Sequence, residues 1–121
     1  MKNKLVIGNL LDQQKNKKGW LVGQFMDEPF RDETVEIYYK TFPSGDPGDK
    51  LHKHPIGTEY LMVLQGKARF RLGDEIFEIK KGDYFAIPSD TPDQLVEVLE
   101  ELTIIGVRNP SVPNNKVFLG N

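Results

Sequence analysis

The chain has 121 residues, a length that suits one domain able to bury a core without covalent staples. With 38% hydrophobic and 28% charged residues, a net charge of −2 and no cysteine, it reads as a soluble globular protein. That balance excludes a disulfide framework and thiol chemistry, and gives no basic surface to attract nucleic acid or a membrane.

No apolar run approaches the ~20 residues of a membrane span. The N-terminus is basic, but its apolar part is too short for a secretory signal, so the expected location is cytoplasmic. Residues 5–7 are a short apolar run, expected as an edge strand. Residues 12–19 carry Lys15, Lys17 and Lys18 and read as a polar loop with solvated lysines. Residues 20–25 predict a strand, and 27–32, with Pro29 and several charges, a loop. Residues 34–42 alternate, with Val35, Ile37 and Tyr39 on one face and Glu36, Tyr38 and Lys40 on the other.

Residues 45–66 organise the chain. A turn rich in Gly, Pro and Asp leads into His52 and His54, the only histidines of the sequence. Two residues apart in an extended segment, they aim two imidazoles to one side. Glu59 follows at the head of an apolar run, 60–64, that is apolar on both faces and ends at a turn around Gly66. Imidazole and carboxylate are ordinary ligands for zinc, iron and manganese.

Beyond Gly66 the pattern is of short strands separated by Gly turns: 67–72, 75–79 and 84–87, the last ending at Pro88. Residues 94–99 and 102–107 predict two further strands. The glutamates at 97, 100 and 101 allow a helix over 93–105, but Val96, Val98, Ile104 and Ile105 favour strand. The tail from Asn109 holds Pro110 and Pro113 and is expected to be extended. Regularly spaced short strands indicate an all-β sandwich or barrel.

These residues resemble a known family. The cupin first motif is G(x)5HxH(x)3–4E(x)6G. Here His52-x-His54, four residues, Glu59, six residues and Gly66 match it, with the leading glycine among Gly45 and Gly48. The second motif, G(x)5PxG(x)2H(x)3N, is matched by Gly82 and Pro88. Asp90, Asp93 and Glu97 stand where the family has Gly, His and Asn.

The resemblance implies an all-β fold, a single-domain jelly-roll barrel over 1–121 with its core at about 20–108. It implies one divalent metal ion (iron, manganese or zinc) held by His52, His54 and Glu59. Asp93 is the expected fourth group with Gln94 behind it, since alternation along that strand lets either face inward. Tyr38, Lys40 and Gln94 are candidate pocket residues. Arg69 and Arg71 read as solvent-facing.

The function so implied is a metal-binding cupin that acts on or binds a small polar molecule, a sugar derivative or small organic acid. As an enzyme it would be of dioxygenase or isomerase type. The alternatives are a non-catalytic binding or sensing cupin and a structural module with a vestigial site. The expected partners are that ligand and a second copy of the chain: Tyr60, Met62 and Leu64 face away from the core and invite a homodimer.

Overall fold

The computed structural model describes residues 5–120, so the ends of the expected 1–121 domain lie outside the described residues. Two long strands carry the architecture, β4 (Thr58–Leu72) and β7 (Asp93–Asn109). They pair antiparallel over nearly their whole length. The first half of β4 and the second half of β7 are flanked by β6 (Tyr84–Ile87), β2 (Glu36–Phe42) and β1 (Trp20–Val22). The opposite halves are flanked by β5 (Glu75–Lys80), β3 (His52–Lys53) and β8 (Val117–Phe118). Each half is thus a five-strand ladder, β1-β2-β7-β4-β6 and β8-β3-β7-β4-β5, and the shared strands curl the two into a jelly-roll barrel.

Residues 59–72 and 93–105 differ from expectation in one informative way. The turn expected at Gly66 is a bend within continuous β4, and the two strands expected over 94–107 are one strand. The register slips around Gln65 and Lys67, and Gly66 has φ 91° with its α-carbon against the Glu101 carbonyl. Bulges turn the strands through the barrel corner and keep the ladder hydrogen bonds a reverse turn would break. A helix over 93–105 is excluded by the same pairing.

The inner faces form the core: Leu61, Val63, Ala68, Phe70, Ile79, Ile87, Leu95, Val98, Leu102 and Ile104, with Tyr38 at one end. On β2 the inward face is the polar one. Glu36 and Tyr38 are buried, while Ile37 and Tyr39 are half-buried on the outside. Arg69 is exposed and pairs with Glu97, as a solvent-facing arginine should.

The N-terminal expectations need correction. Residues 5–7 form no strand, and Leu5 and Ile7 are exposed. The lysine-rich segment is mostly helix, α1 (Leu10–Lys17). The Asn9 side chain accepts from the amides of Leu11 and Asp12, Asp12 sits in the first turn, and Lys15 and Lys17 sit in the last. This charge order complements the helix dipole. No α1 residue is buried; the Gln13 side chain donates to the Trp20 carbonyl at 2.8 Å and tethers the helix to β1. Its lysines remain exposed, as expected. Among the described residues no helix is long and apolar enough to cross a membrane.

Candidate metal centre

His52 is fixed by both its neighbours in the sheet, since β3 lies between β7 and β8 and pairs with Asp93 on one side and Phe118 on the other. His54 follows just past β3. Its ring centroid is 5.1 Å from that of His52 at an interplanar angle of 84°. Both are buried, as is Asp93. One donor atom from each of His52, His54 and Asp93 lies within 4.8 Å of the others.

Three observations make this trio fit a divalent ion. His52 Nδ1 is 2.7 Å from the Lys50 carbonyl and donates its proton there, which leaves the Nε2 lone pair facing Asp93. His52 Nε2 and Asp93 Oδ1 are 3.3 Å apart, the spacing of two donors that share an ion about 2.1 Å from each. His54 Nδ1 and Asp93 Oδ2 are buried with no hydrogen-bond partner among the described residues. Unmatched buried polar atoms are costly, and an ion at the trio would engage the side chains that carry them.

The protonation balance agrees. His54 is pushed down to about 4, by burial first and then by the Arg108 guanidinium, so it presents a neutral imidazole. Burial raises Asp93 above the usual carboxylate range, only partly offset by His52. Burial works against a proton on His52, but the Asp93 carboxylate and Lys50 carbonyl outweigh it and raise its proton affinity.

Glu59 is buried in the same cavity but stands outside that trio. Its Oε2 accepts from the Tyr38 hydroxyl at 2.5 Å and lies 3.2 Å from Arg108 Nη2. Arg108 also binds Glu36 Oε2 at 2.6 Å through Nη1, and the Ser111 hydroxyl donates to the other Glu36 oxygen at 3.1 Å. The partly buried guanidinium thus claims both carboxylates. Its own proton affinity is raised despite burial, because Glu59 and Glu36 flank it. Burial and the neighbouring Glu59 hold the Tyr38 phenol protonated, well above its ordinary range.

The cavity has a volume of about 330 Å³. Tyr38 and Lys40 line it, as expected; Gln94 does not. The Gln94 amide points across the sheet and donates to the Asp49 carbonyl at 2.9 Å, so the inward residue of the pair is Asp93. Leu61, Val63, Phe70, Leu102 and Ile104 form an apolar inner wall. Trp20 and Phe25 stand edge to face at 4.9 Å on one side. Residues 112–116 close another side, held by Asn115, whose side chain accepts from the Ile56 amide at 3.0 Å and donates to its carbonyl at 2.7 Å.

Sequence reasoning missed Arg108, Glu36 and Lys116. Arg108 stands beside Glu36 on β2 and beside Glu59 on β4 in the ladder. Its phase with inward-facing Ile104 and Gly106 was the one available signal.

The cupin-domain family profile matches residues 38–96, which contain both histidines, Glu59 and Asp93. An uncharacterised protein of Methanocaldococcus jannaschii is 40% identical over 48 residues, covering 40% of this chain and 38% of that protein, so the match spans well under half of the relative. A cupin protein from Bacteroides fragilis superposes with a TM-score of 0.58 at 19% identity, covering 73% of this chain and 72% of that one. A DMSP lyase from Ruegeria pomeroyi superposes with a TM-score of 0.67 at 20% identity, covering 86% of this chain and 53% of that one. A curled barrel, a matching domain profile and neighbours of the same fold converge on one assignment: residues 38–96 of this chain carry a cupin domain.

Proposed function

We propose that this cupin binds one divalent metal ion through His52, His54 and Asp93 and uses it to hold a small polar molecule in the barrel. The observation that carries the reading is the convergence of three buried donors, two with unmatched atoms, on the wall of one cavity. Two imidazoles and a carboxylate suit iron, manganese or zinc. The ion would supply a Lewis-acidic centre for an oxygen atom of the ligand. The chain's own residues do the rest: the apolar wall excludes water, and the Tyr38–Glu59–Arg108 chain fixes a polarised hydroxyl beside the donors. Glu59, expected as a direct ligand, acts in this reading as the counter-charge of Arg108.

A non-catalytic binding or sensing role is the second reading. It is favoured by the pairing of Glu59 and Glu36 with Arg108, which leaves the cavity without an unengaged carboxylate base. Turnover assays on small organic acids and sugar derivatives, with each metal supplied in turn, separate the two. For the metal itself, elemental analysis should find about one ion per chain in wild type and almost none in His52→Ala. Equal content in both proteins would refute the assignment.

We also propose a homodimer. Register partners across a sheet point the same way, so the outward face of one half-barrel can be traced in rows. Tyr84, Met62, Ile105 and Tyr39 form one row, and Ala86, Tyr60, Val107, Ile37 and Val22 the next. Neither row contains a charge, and Tyr84, Tyr60 and Met62 are 83%, 48% and 36% exposed. A flat, uncharged face offers a charged partner nothing, but it matches itself when two sheets stack. Met62→Glu should yield a soluble monomer where wild type sediments as a dimer at micromolar concentration. A monomeric wild type would count against the interface.

A further inference from the structure

We propose that the cavity takes a small carboxylic acid with an apolar body, its carboxylate held between Lys40 and Lys116 and its body against Trp20 and Phe25. The proposal deepens the metal-site reading and rests on it for one step, the charge balance.

Lys40 Nζ lies 4.5 Å from the Trp20 ring centroid and 4.9 Å from that of Tyr38, so its charge rests over two ring faces, with Glu59 and Asp49 acting on it from beyond contact. Lys116 is exposed on the segment that Asn115 clamps, its Nζ 5.2 Å from the Phe118 ring centroid. Among the described residues no carboxylate lies within ion-pair distance of either ammonium. Burial, and after it the charge of Lys116, lowers the proton affinity of Lys40. Two like charges therefore line the cavity with no carboxylate in ion-pair contact, an arrangement that an anion would relieve.

The acids of the cavity act on these lysines only from a distance, and each has a nearer partner. Glu36 and Glu59 are taken by Arg108 and Asp93 by His52, while Asp49 accepts the Leu95 amide at 2.8 Å. Four acidic side chains (Glu36, Asp49, Glu59, Asp93) and three basic ones (Lys40, Arg108, Lys116) line the cavity, a balance of one negative charge with neutral histidines. A divalent ion turns that into one positive charge. One carboxylate then brings the site to neutrality, whereas a phosphate dianion overshoots it and faces four carboxylates. The volume of about 330 Å³ equals about eleven waters and limits the ligand to a small molecule. The apolar inner wall and the Trp20–Phe25 pair favour an apolar body over a sugar.

Trp20, the one tryptophan of the chain, lies under Lys40 and reports on the site. Zinc-loaded protein is titrated with benzoate, with its neutral analogue benzamide and with inorganic phosphate, following Trp20 emission. The expected result is a saturable change with benzoate and none with benzamide. In both Lys40→Met and Lys116→Met, with zinc content unchanged, affinity should fall at least about tenfold. Lys116 is exposed, so its variant tests the site without disturbing the core. No saturation with benzoate, an equal response to benzamide, tighter binding of phosphate, or unchanged affinity in the two variants would each overturn the proposal. Should wild type hold no zinc, the metal reading fails on its own. Lysine-dependent benzoate binding by that metal-free protein would still uphold the carboxylate site, and its absence there would end it.

Discussion

Arg108→Met is expected to lower stability by about 3–5 kcal/mol, a fall of roughly 10–20 °C in Tm. The guanidinium lies between two buried carboxylates, 2.6 Å from Glu36 and 3.2 Å from Glu59. Methionine replaces most of its volume, so the loss is chiefly electrostatic. Two acids are left in a low-dielectric interior with Tyr38 and Ser111 as their remaining side-chain donors. Breaking such a group by removing one member is far more damaging than replacing all of it. Arg108→Met combined with Glu36→Gln should therefore recover part of the loss, because one stranded charge has gone. Chemical denaturation of the three proteins checks this. A single-variant loss below ~1 kcal/mol, the range of exposed pairs, would show that the network is solvated.

Gly66→Ala is expected to cost more than ~3 kcal/mol or to prevent folding. The residue has φ 91°, a region L-residues rarely occupy, and a Cβ there would stand 1.9 Å from the Glu101 carbonyl oxygen. That oxygen belongs to the facing strand, so no side chain can rotate away to make room. Gly73 is the comparison: its φ is 62° and nothing lies within 4 Å of its would-be Cβ. Gly73→Ala should therefore cost only the ~1–2 kcal/mol of the left-handed backbone. Similar midpoints for the two variants in urea would sink the argument that a close backbone approach fixes Gly66.

The same corner shows what the sequence could tell and what it could not. Glycine at 66 signalled a departure from regular strand, but glycine serves a turn and a bulge alike. What decides is the partner across the ladder, some 35 positions away in the chain. The Asp93 and Gln94 ambiguity has the same origin. From Val98 backwards, strict alternation puts Gln94 inside. The pairing slips between Arg69 and Phe70, so Asp93, Leu95 and Val98 all face in. The two histidines were legible because their spacing alone sets their direction. Glu59 was legible as a buried carboxylate, yet its occupation by Arg108 was not, since the pair is 49 residues apart and meets only through β4–β7 register. Helix α1 was hidden by its lack of any apolar face; Asn9 before a segment acidic first and basic last was the readable sign.

Gly106 and Tyr38 are register partners on adjacent strands, and a Cβ on Gly106 would fall 2.0 Å from the Tyr38 ring. The ring lies flat over a backbone that has nothing to displace it, which is how its hydroxyl comes to rest on Glu59. The two positions are therefore a single choice. Across related sequences they should covary: a side chain at the position of Gly106 goes with a small residue at that of Tyr38. A lineage that makes this exchange frees its Glu59 equivalent from the phenol and leaves Arg108 as its partner. A drift at one inward position of the β2–β7 ladder would in this way change the hydrogen bonding of a buried acid without touching that acid.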